Sequence, residues 1–165
     1  ISGEDGGLIR GLPISEELGR AGKISSINTE IINRLVEDDF IPVVATVGVG
    51  EDGQPLNINA DLVAAELAIA LGADKCIYLT DVDGLYADFE DKESLISVLE
   101  LSQGEKLISE NLIDEGMLPK LSASLKAVKN GVPRAHILNG TREHSLIMEL
   151  YTNSGIGTMI LNEES

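Results

Sequence analysis

The chain has 165 residues, of which 43% are hydrophobic, so it holds enough apolar surface for one folded domain and is not intrinsically disordered. Its formal net charge of −16 opposes binding to nucleic-acid phosphates, and its richest apolar stretch, residues 62–71, is too short to span a bilayer. A single cysteine and the lack of a leader-like amino-terminal pattern predict a cytoplasmic protein.

The first third of the sequence predicts three strands and one helix. Residues 8–10 and 22–27 follow glycine-containing turns and are interpreted as paired strands. Apolar residues at helical spacing predict a helix that begins at residue 28 or 29 and ends near residue 38. The nearly unbroken apolar run at residues 40–47 is typical of a strand that is buried on both faces.

The rest of the sequence alternates helices with strands. Helices are predicted at residues 61–71, 120–130 and 145–151, and strands at residues 75–80, 135–138 and 158–161. This alternation predicts the α/β class, here a three-layer αβα sandwich with a mainly parallel central sheet. Sheets of this kind bind ligands beyond the carboxyl ends of their strands.

An alternating polar segment leads into the first of those helices. Asn57, Asn59 and Asp61 are separated by single apolar residues, so an extended backbone would direct all three to the same side. We interpret Asn57 and Asn59 as ligand-binding residues, because capping of the following helix is assigned to Asp61. The alternative is an Asx turn that only caps the helix.

A second polar segment follows the strand at residues 75–80. Thr80, Asp81, Asp83 and Gly84 offer a hydroxyl, two carboxylates and a glycine, and these groups suit the ribose, phosphates and metal ion of a bound nucleotide. The same residues are common in turns, so an ordinary turn is the alternative.

Lys120 is distinctive because it follows Pro119 at the predicted start of a helix. Proline suits the first helical turn, which places Lys120 at the positive end of the helix dipole, where a lysine is unfavourable unless an anion lies nearby. Helix N-termini bind phosphates, so Lys120 is predicted to be catalytic. The alternative is a solvated surface lysine.

Four segments together resemble the amino acid kinase family. They are residues 56–61 (LNINAD), 79–85 (LTDVDGL), 116–120 (GMLPK) and 155–160 (GIGTMI), in the order found in the members that phosphorylate N-acetyl-L-glutamate. The resemblance extends over essentially the whole chain. It assigns residues 1–165 to the carboxyl-terminal, nucleotide-binding lobe of such an enzyme, with the amino-terminal lobe absent.

The resemblance implies phosphoryl transfer from ATP to the side-chain carboxylate of N-acetyl-L-glutamate, a step of arginine biosynthesis, with Mg²⁺ offsetting the phosphate charges. It implies that Asn57 and Asn59 bind the acetylated amino acid and that Asp61 and Lys120 are catalytic. It also implies a nucleotide pocket formed by Thr80, Asp81, Val82, Asp83, Gly84, Leu85, Tyr86, Leu112, Ile113 and Asp114. No direct protein ligand for the metal ion is predicted.

His136, Glu149 and Gly155 resemble residues with which some family members bind L-arginine as a feedback inhibitor. A carboxylate at Glu149 suits a guanidinium group through paired hydrogen bonds. The alternatives are a core histidine with a backbone partner at position 136 and a helix-surface charge at position 149. Thr141 departs from the arginine expected after the Asn-Gly pair, so arginine inhibition is a hypothesis.

Part of the family pattern has no match in this sequence. Family members carry a second catalytic lysine and a substrate-gripping arginine on amino-terminal glycine-rich segments, so we expect little or no kinase activity from this chain alone. An open sheet edge predicts self-association, and a homo-oligomer is expected. Other amino acid kinases, acting on glutamate, aspartate, carbamate or a nucleoside monophosphate, are alternatives. Another is a non-catalytic module that binds a nucleotide or senses arginine.

Overall fold

The computed structural model describes residues 1–88, 90–152 and 155–162. It divides into two compact units, Ile1–Leu71 and Gly72–Ser165. The α/β class is confirmed, because both units combine strands with helices, although the strands form two sheets. Every helix in the described ranges is too short or too polar to cross a lipid bilayer.

The first unit is built on a small barrel. Its strands are β1 (Ile9–Pro13), β2 (Ala21–Ile27), β3 (Val47–Val49) and β4 (Pro55–Ile58), and its helices are α1 (Glu30–Glu37) and α2 (Ala60–Leu71). The strands close in the order β1-β2-β4-β3, with β1 antiparallel to β2 and β3 antiparallel to β4. A Cβ at Gly48 would lie 2.6 Å from Ile58 Cδ1 and 3.1 Å from Ile9 O, so any larger residue here would force the buried Ile58 side chain to move.

The apolar core of the first unit joins the barrel to both helices. Its buried members come from the segment around β1, from α1, from β4 and from α2, and they are Leu8, Ile9, Ile32, Leu56, Ile58 and Val63. Burying such side chains is the main favourable term in folding, at about 25 cal/mol for each Å² of apolar surface removed from water. The helical spacing seen in the sequence of α1 therefore gives a helix with one face in this core.

The prediction of a buried strand at residues 40–47 is wrong. Only its last residue, Val47, belongs to a strand, and Phe40, Ile41 and Val43 are 62%, 90% and 79% exposed. Val44 packs against the core of the unit, so the side chains alternate between the core and solvent as in a one-sided extended segment. The prediction failed because no described element covers the outer side of this run.

The second unit is an open sheet with helices. Its strands are β5 (Lys75–Thr80), β6 (Val98–Glu100), β7 (Arg134–Asn139) and β8 (Thr158–Leu161), and its helices are α3 (Leu101–Ser109), α4 (Leu118–Lys129) and α5 (Ser145–Tyr151). The strand order is β5-β7-β8-β6, with β5 parallel to β7, β6 parallel to β8, and β7 antiparallel to β8. Two of the three pairings in this sheet are therefore parallel.

Strand β7 is central in this sheet and is buried on both faces. Residues 135–138 are all buried, which means that side chains on alternate sides of the strand are both covered. Helix α4 packs next to it and buries six residues, Leu121, Ala123, Ser124, Leu125, Ala127 and Val128. Helix α4 therefore has a fixed position over the sheet, and so does its N-terminus.

Strand β6 and helix α3 were not predicted from the sequence. Gly104 in the middle of α3 lowers helix propensity, but a Cβ at this position would lie 2.5 Å from Leu125 Cδ2 of α4. The glycine permits close packing of two helices rather than marking a turn. A reciprocal capping box between Glu100 and Gln103 begins the helix, but glutamate at the cap position departs from the Ser or Thr by which such a box is recognised in a sequence.

Candidate functional site

The second unit contains a cavity of about 570 Å³ next to the carboxyl end of β5. This volume is within the range typical of small-molecule sites. The residues that line it are Thr80, Asp81, Val82, Gly84, Leu85, Tyr86, Ala87, Leu112, Ile113, Asp114, Gly116, Met117 and Lys120. The structure therefore brings together Lys120 and every residue of the predicted nucleotide pocket except Asp83.

One wall of the cavity is the segment that enters α4. Asp114 Oδ1 accepts hydrogen bonds from the backbone N–H groups of Gly116 (2.9 Å) and Met117 (3.0 Å), which forms an Asx turn. Helix α4 begins directly after it at Leu118, with Pro119 in the first turn. Lys120 follows and lines the cavity, so a lysine and the positive end of a helix dipole lie at the same wall.

A second wall of the cavity is the loop of residues 81–87 that leaves β5. Tyr86 donates a hydrogen bond to Asp83 Oδ2 (3.2 Å), and Lys92 Nζ lies 4.8 Å from the centre of the Tyr86 ring. Burial raises the pKa of the Tyr86 hydroxyl, and the nearby negative charge of Asp83 raises it further. Tyr86 is therefore a neutral hydrogen-bond donor at physiological pH.

Asn57, Asn59 and Asp61 lie in the first unit, and their surroundings differ from the sequence prediction. In β4 the side chain of Asn57 is exposed while Leu56 and Ile58 are buried. The alternation ends there, because α2 begins at Ala60 and places Asp61 in its first turn. Asn59 Oδ1 accepts from the backbone N–H of Leu62 (3.0 Å), so the helix cap is Asn59, and the prediction that Asp61 is the cap is wrong.

His136, Glu149 and Gly155 come together in the second unit. His136 Nδ1 lies 2.7 Å from Glu149 Oε1, and both side chains are only 5% exposed. The backbone N–H of Ile156 donates to Glu149 Oε2 (2.8 Å), and a Cβ at Gly155 would lie 3.2 Å from the same oxygen. Glu149 is therefore a buried carboxylate rather than a helix-surface charge, and the partner of His136 is a side chain rather than the backbone.

Two residues that were not predicted as site residues are bonded to the cavity loop, although one of them, Thr158, lies in the family-like segment 155–160. The hydroxyl of Thr158 accepts from the backbone N–H of Leu85 (2.8 Å), and Asn139 Nδ2 donates to Asp83 Oδ1 (2.8 Å). Both contacts join residues more than 50 positions apart in the sequence. No local pattern indicates these two contacts, because they depend on the pairing of β7 with β5 and β8.

Carboxylates are present at the cavity, but they do not form a protein-only metal site. Asp81 and Asp114 line it, and one oxygen of Asp114 accepts two backbone N–H groups. Across residues 1–88, 90–152 and 155–162, no group of three or more His, Cys, Asp or Glu side chains is placed to hold a metal ion. A magnesium ion carried by a nucleotide needs only one or two such carboxylates, because phosphate oxygens and waters complete its shell.

The chain is similar in sequence to members of one protein family. Residues 1–139 match the amino acid kinase family. Acetylglutamate kinases from Syntrophomonas wolfei and Caldanaerobacter subterraneus are each 47% identical to the chain over 165 residues, covering 99% of it and 58% and 55% of their own lengths. The chain thus spans a little over half the length of these curated relatives.

A solved structure shares the fold of the chain. N-acetylglutamate synthase from Neisseria gonorrhoeae, complexed with coenzyme A and L-arginine, superposes with a TM-score of 0.85 at 28% sequence identity. The match covers 99% of this chain and 38% of that one. The fold described above therefore also occurs within a larger protein whose crystals contained L-arginine.

Proposed function

Because the chain belongs to the amino acid kinase family, we propose that it carries the ATP-binding part of an acetylglutamate kinase. The observation that supports this most is the cavity, since the loop after β5 and the N-terminus of α4 meet there with Lys120. The named relatives at 47% identity supply the choice of reaction.

The cavity has the properties that phosphoryl transfer requires. The reaction depends on positioning of the phosphates and neutralisation of their charge, with little covalent participation of the protein. Lys120 and the first turn of α4 supply positive charge to a molecule with a net charge of −16. We assign Lys120 the role of stabilising the transferred phosphoryl group, and the loop of residues 81–87 that of holding the nucleotide.

The acyl acceptor is proposed to be N-acetyl-L-glutamate, bound by Asn57 and Asn59. Asn57 is exposed in β4, and its carboxamide is proposed to bind the ligand through both its oxygen and its nitrogen. Asn59 already uses its carbonyl oxygen to cap α2, so its proposed contact with substrate is through its amide nitrogen. Asp61, in the first turn of α2, keeps its proposed catalytic role.

Magnesium is proposed to enter the cavity with ATP. When bound, Mg²⁺ neutralises charge on the β- and γ-phosphates. Asp81 and Asp114 both line the cavity; Asp81 Oδ1 accepts one side-chain hydrogen bond, from Thr80, and Asp114 Oδ1 accepts two backbone ones in the turn that begins α4, so Asp81 is the carboxylate proposed to approach the ion. The chain's own contribution is the orientation of the phosphates against Lys120.

We also propose that this chain alone has little kinase activity. It spans just over half the length of the acetylglutamate kinases that it matches, and the rest of such a protein is proposed to complete the acceptor site. The full-length protein that contains this chain is therefore the material for activity measurements. Near-normal turnover by residues 1–165 alone would contradict this part of the proposal.

L-arginine is a second proposed ligand, through His136 and Glu149. The specific observation in its favour is the buried His136–Glu149 pair beside Gly155, since a carboxylate shielded from water forms strong bonds with a guanidinium group. Calorimetric titration of the full-length protein with L-arginine tests this. Equal arginine affinity in the wild type and in Glu149→Ala would contradict it.

The main experiment measures ADP release by the full-length protein with a panel of acceptors. N-acetyl-L-glutamate should support turnover, and L-glutamate, L-aspartate, carbamate and nucleoside monophosphates should not. Lys120→Met should lower kcat by about 100- to 1,000-fold, the usual effect of removing one charge-stabilising group. Lys129→Met is the matched control on the same helix. Lys129 is the last residue of α4, away from the cavity lining, and it pairs with Glu105 of α3.

Two results would contradict the proposed function. A different acceptor with a higher kcat/KM would place the protein elsewhere in the family. Equal losses in Lys120→Met and Lys129→Met would show that the effect comes from helix charge in general rather than from a group at the cavity.

A further inference from the structure

Two backbone hydrogen bonds accompany the bridge between Tyr86 and Leu95, from Ile96 N–H to Leu85 O (2.8 Å) and from Ala87 N–H to Ser94 O (3.0 Å). Apart from these, the loop of residues 81–87 that lines the cavity belongs to no helix or strand. A loop with this little internal bonding needs other groups to define its conformation. Two polar side chains from the sheet supply them, Thr158 at the start of β8 and Asn139 at the end of β7. Neither residue lines the cavity.

The contact from Thr158 is fully buried. Its side chain has no exposed surface, and its Oγ1 accepts from the backbone N–H of Leu85 at 2.8 Å. Gly84 lies directly against it, since a Cβ at Gly84 would be 2.5 Å from Thr158 Oγ1 and 3.0 Å from Thr158 N. The loop therefore approaches β8 so closely that only a glycine fits at position 84, and the hydroxyl satisfies the next free N–H.

The contact from Asn139 has a defined orientation. Asn139 Oδ1 accepts from both the N–H (2.9 Å) and the hydroxyl (2.7 Å) of Thr141, so the amide nitrogen must face the other way, toward Asp83 Oδ1. The second oxygen of Asp83 accepts from Tyr86. A continuous hydrogen-bond chain thus runs from the loop after β7, through Asn139 and Asp83, to a side chain at the cavity wall.

We propose that Thr158 and Asn139 are positioning residues that hold the loop in the conformation that binds the nucleotide. This inference rests on the proposed function, because it assigns the loop to ATP. Both residues act through the loop rather than by touching the ligand. Their loss raises the KM for ATP and the dissociation constant of the nucleotide, and leaves the KM for the acyl acceptor unchanged.

The Thr158 test uses two substitutions in the full-length protein. Thr158→Val keeps the shape of the side chain and removes the acceptor of the Leu85 N–H, so we expect the KM for ATP to rise about tenfold or more, as follows from an unsatisfied buried donor. Thr158→Ser retains a hydroxyl and should restore ATP affinity to within about threefold of the wild type. Equal KM values in Thr158→Val and the wild type would overturn the role of Thr158.

The Asn139 test does not depend on whether Thr158→Val folds. Asn139→Asp replaces the donor with a carboxylate that faces Asp83, and repulsion should weaken ATP binding about tenfold. The double variant Asn139→Asp with Asp83→Asn exchanges donor and acceptor across the same contact and should recover most of the affinity. A double variant as weak as, or weaker than, Asn139→Asp would overturn the role of Asn139.

Hydrogen exchange separates this inference from the proposed function. In Thr158→Val the amide of Leu85 should exchange faster, while the amides of β7 keep wild-type rates. If exchange at Leu85 rises but the ATP affinity is unchanged, the positioning role is wrong and the nucleotide site stands. If the wild type does not bind ATP at all, the proposed function is wrong and the role in nucleotide binding falls with it.

Discussion

Two apolar runs of similar composition have opposite surroundings in this protein. Residues 135–138 of β7 lie between two strands and are buried on both faces, whereas Ile41 and Val43 in the first unit are 90% and 79% exposed. The sequence predicted both runs as strands, and it predicted burial on both faces only for residues 40–47. The difference shows that an apolar run predicts a strand but does not determine its burial. Burial depends on which strands and helices pack against the run in the folded protein.

The largest expected effect sharpens this comparison with one substitution made in each run. Ile137→Ala in β7 removes a fully buried side chain and should lower the free energy of unfolding by about 2–5 kcal/mol. Ile41→Ala removes an exposed one and should change it by less than about 0.5 kcal/mol. Urea denaturation of the chain of residues 1–165 measures both. A loss in Ile41→Ala that equals that of Ile137→Ala would mean that residues 40–44 are covered.

An intermediate effect is expected at the contact between Glu149 of α5 and His136 of β7. Glu149→Ala leaves His136 Nδ1 and the Ile156 N–H without their carboxylate, which should cost about 1–3 kcal/mol. Glu143→Ala is the matched control, since Glu143 is exposed just before the same helix. Thermal denaturation of both variants would contradict the structural role of Glu149 if their midpoints fell equally.

The smallest effect is expected at an exposed ion pair of the first unit. Arg20 lies 2.8 Å from Asp52, with both side chains about half exposed, and the hydrogen bond from Arg20 holds the pKa of Asp52 below its ordinary value. The pair therefore contributes stability above the ordinary pKa of aspartate, and this contribution is lost as the pH falls through the lowered pKa of the folded state.

Asp52→Asn provides the measurement for that pair. The difference in urea midpoint between wild type and variant should be largest near neutral pH, decrease with added salt, and vanish in acid once Asp52 is protonated. A difference that grows as the pH falls would contradict the assignment.

The sequence predicted the second unit better than the first, for reasons that particular residues show. The bounds of β5, α5 and β8 were predicted to the residue, because turn-forming residues and a change of period mark their ends. The cap of α2 was displaced by two residues, since Asn59 and Asp61 are both good caps and the first apolar pair does not define where the helix begins. Local patterns therefore locate elements more reliably than their terminal contacts.

The same distinction between local patterns and long-range contacts applies to the candidate site. The cavity walls come from two segments, residues 80–87 and 112–120, whose turn and helix-start residues are visible in the sequence. Asn139 and Thr158 were not predicted as site residues because their partners lie 56 and 73 positions away, and such contacts exist only once the sheet has formed. Sequence motifs thus indicated the groups at the cavity surface, while the groups that hold them required the structure.

The most direct test of the central claim is hydrogen exchange of the full-length protein with and without ATP and Mg²⁺. We predict protection at residues 80–87 and 112–120, the two walls of the cavity, and weaker protection in Lys120→Met than in Lys129→Met. Saturating nucleotide that leaves both segments unchanged, or that protects other segments instead, would contradict the assignment of this cavity to ATP.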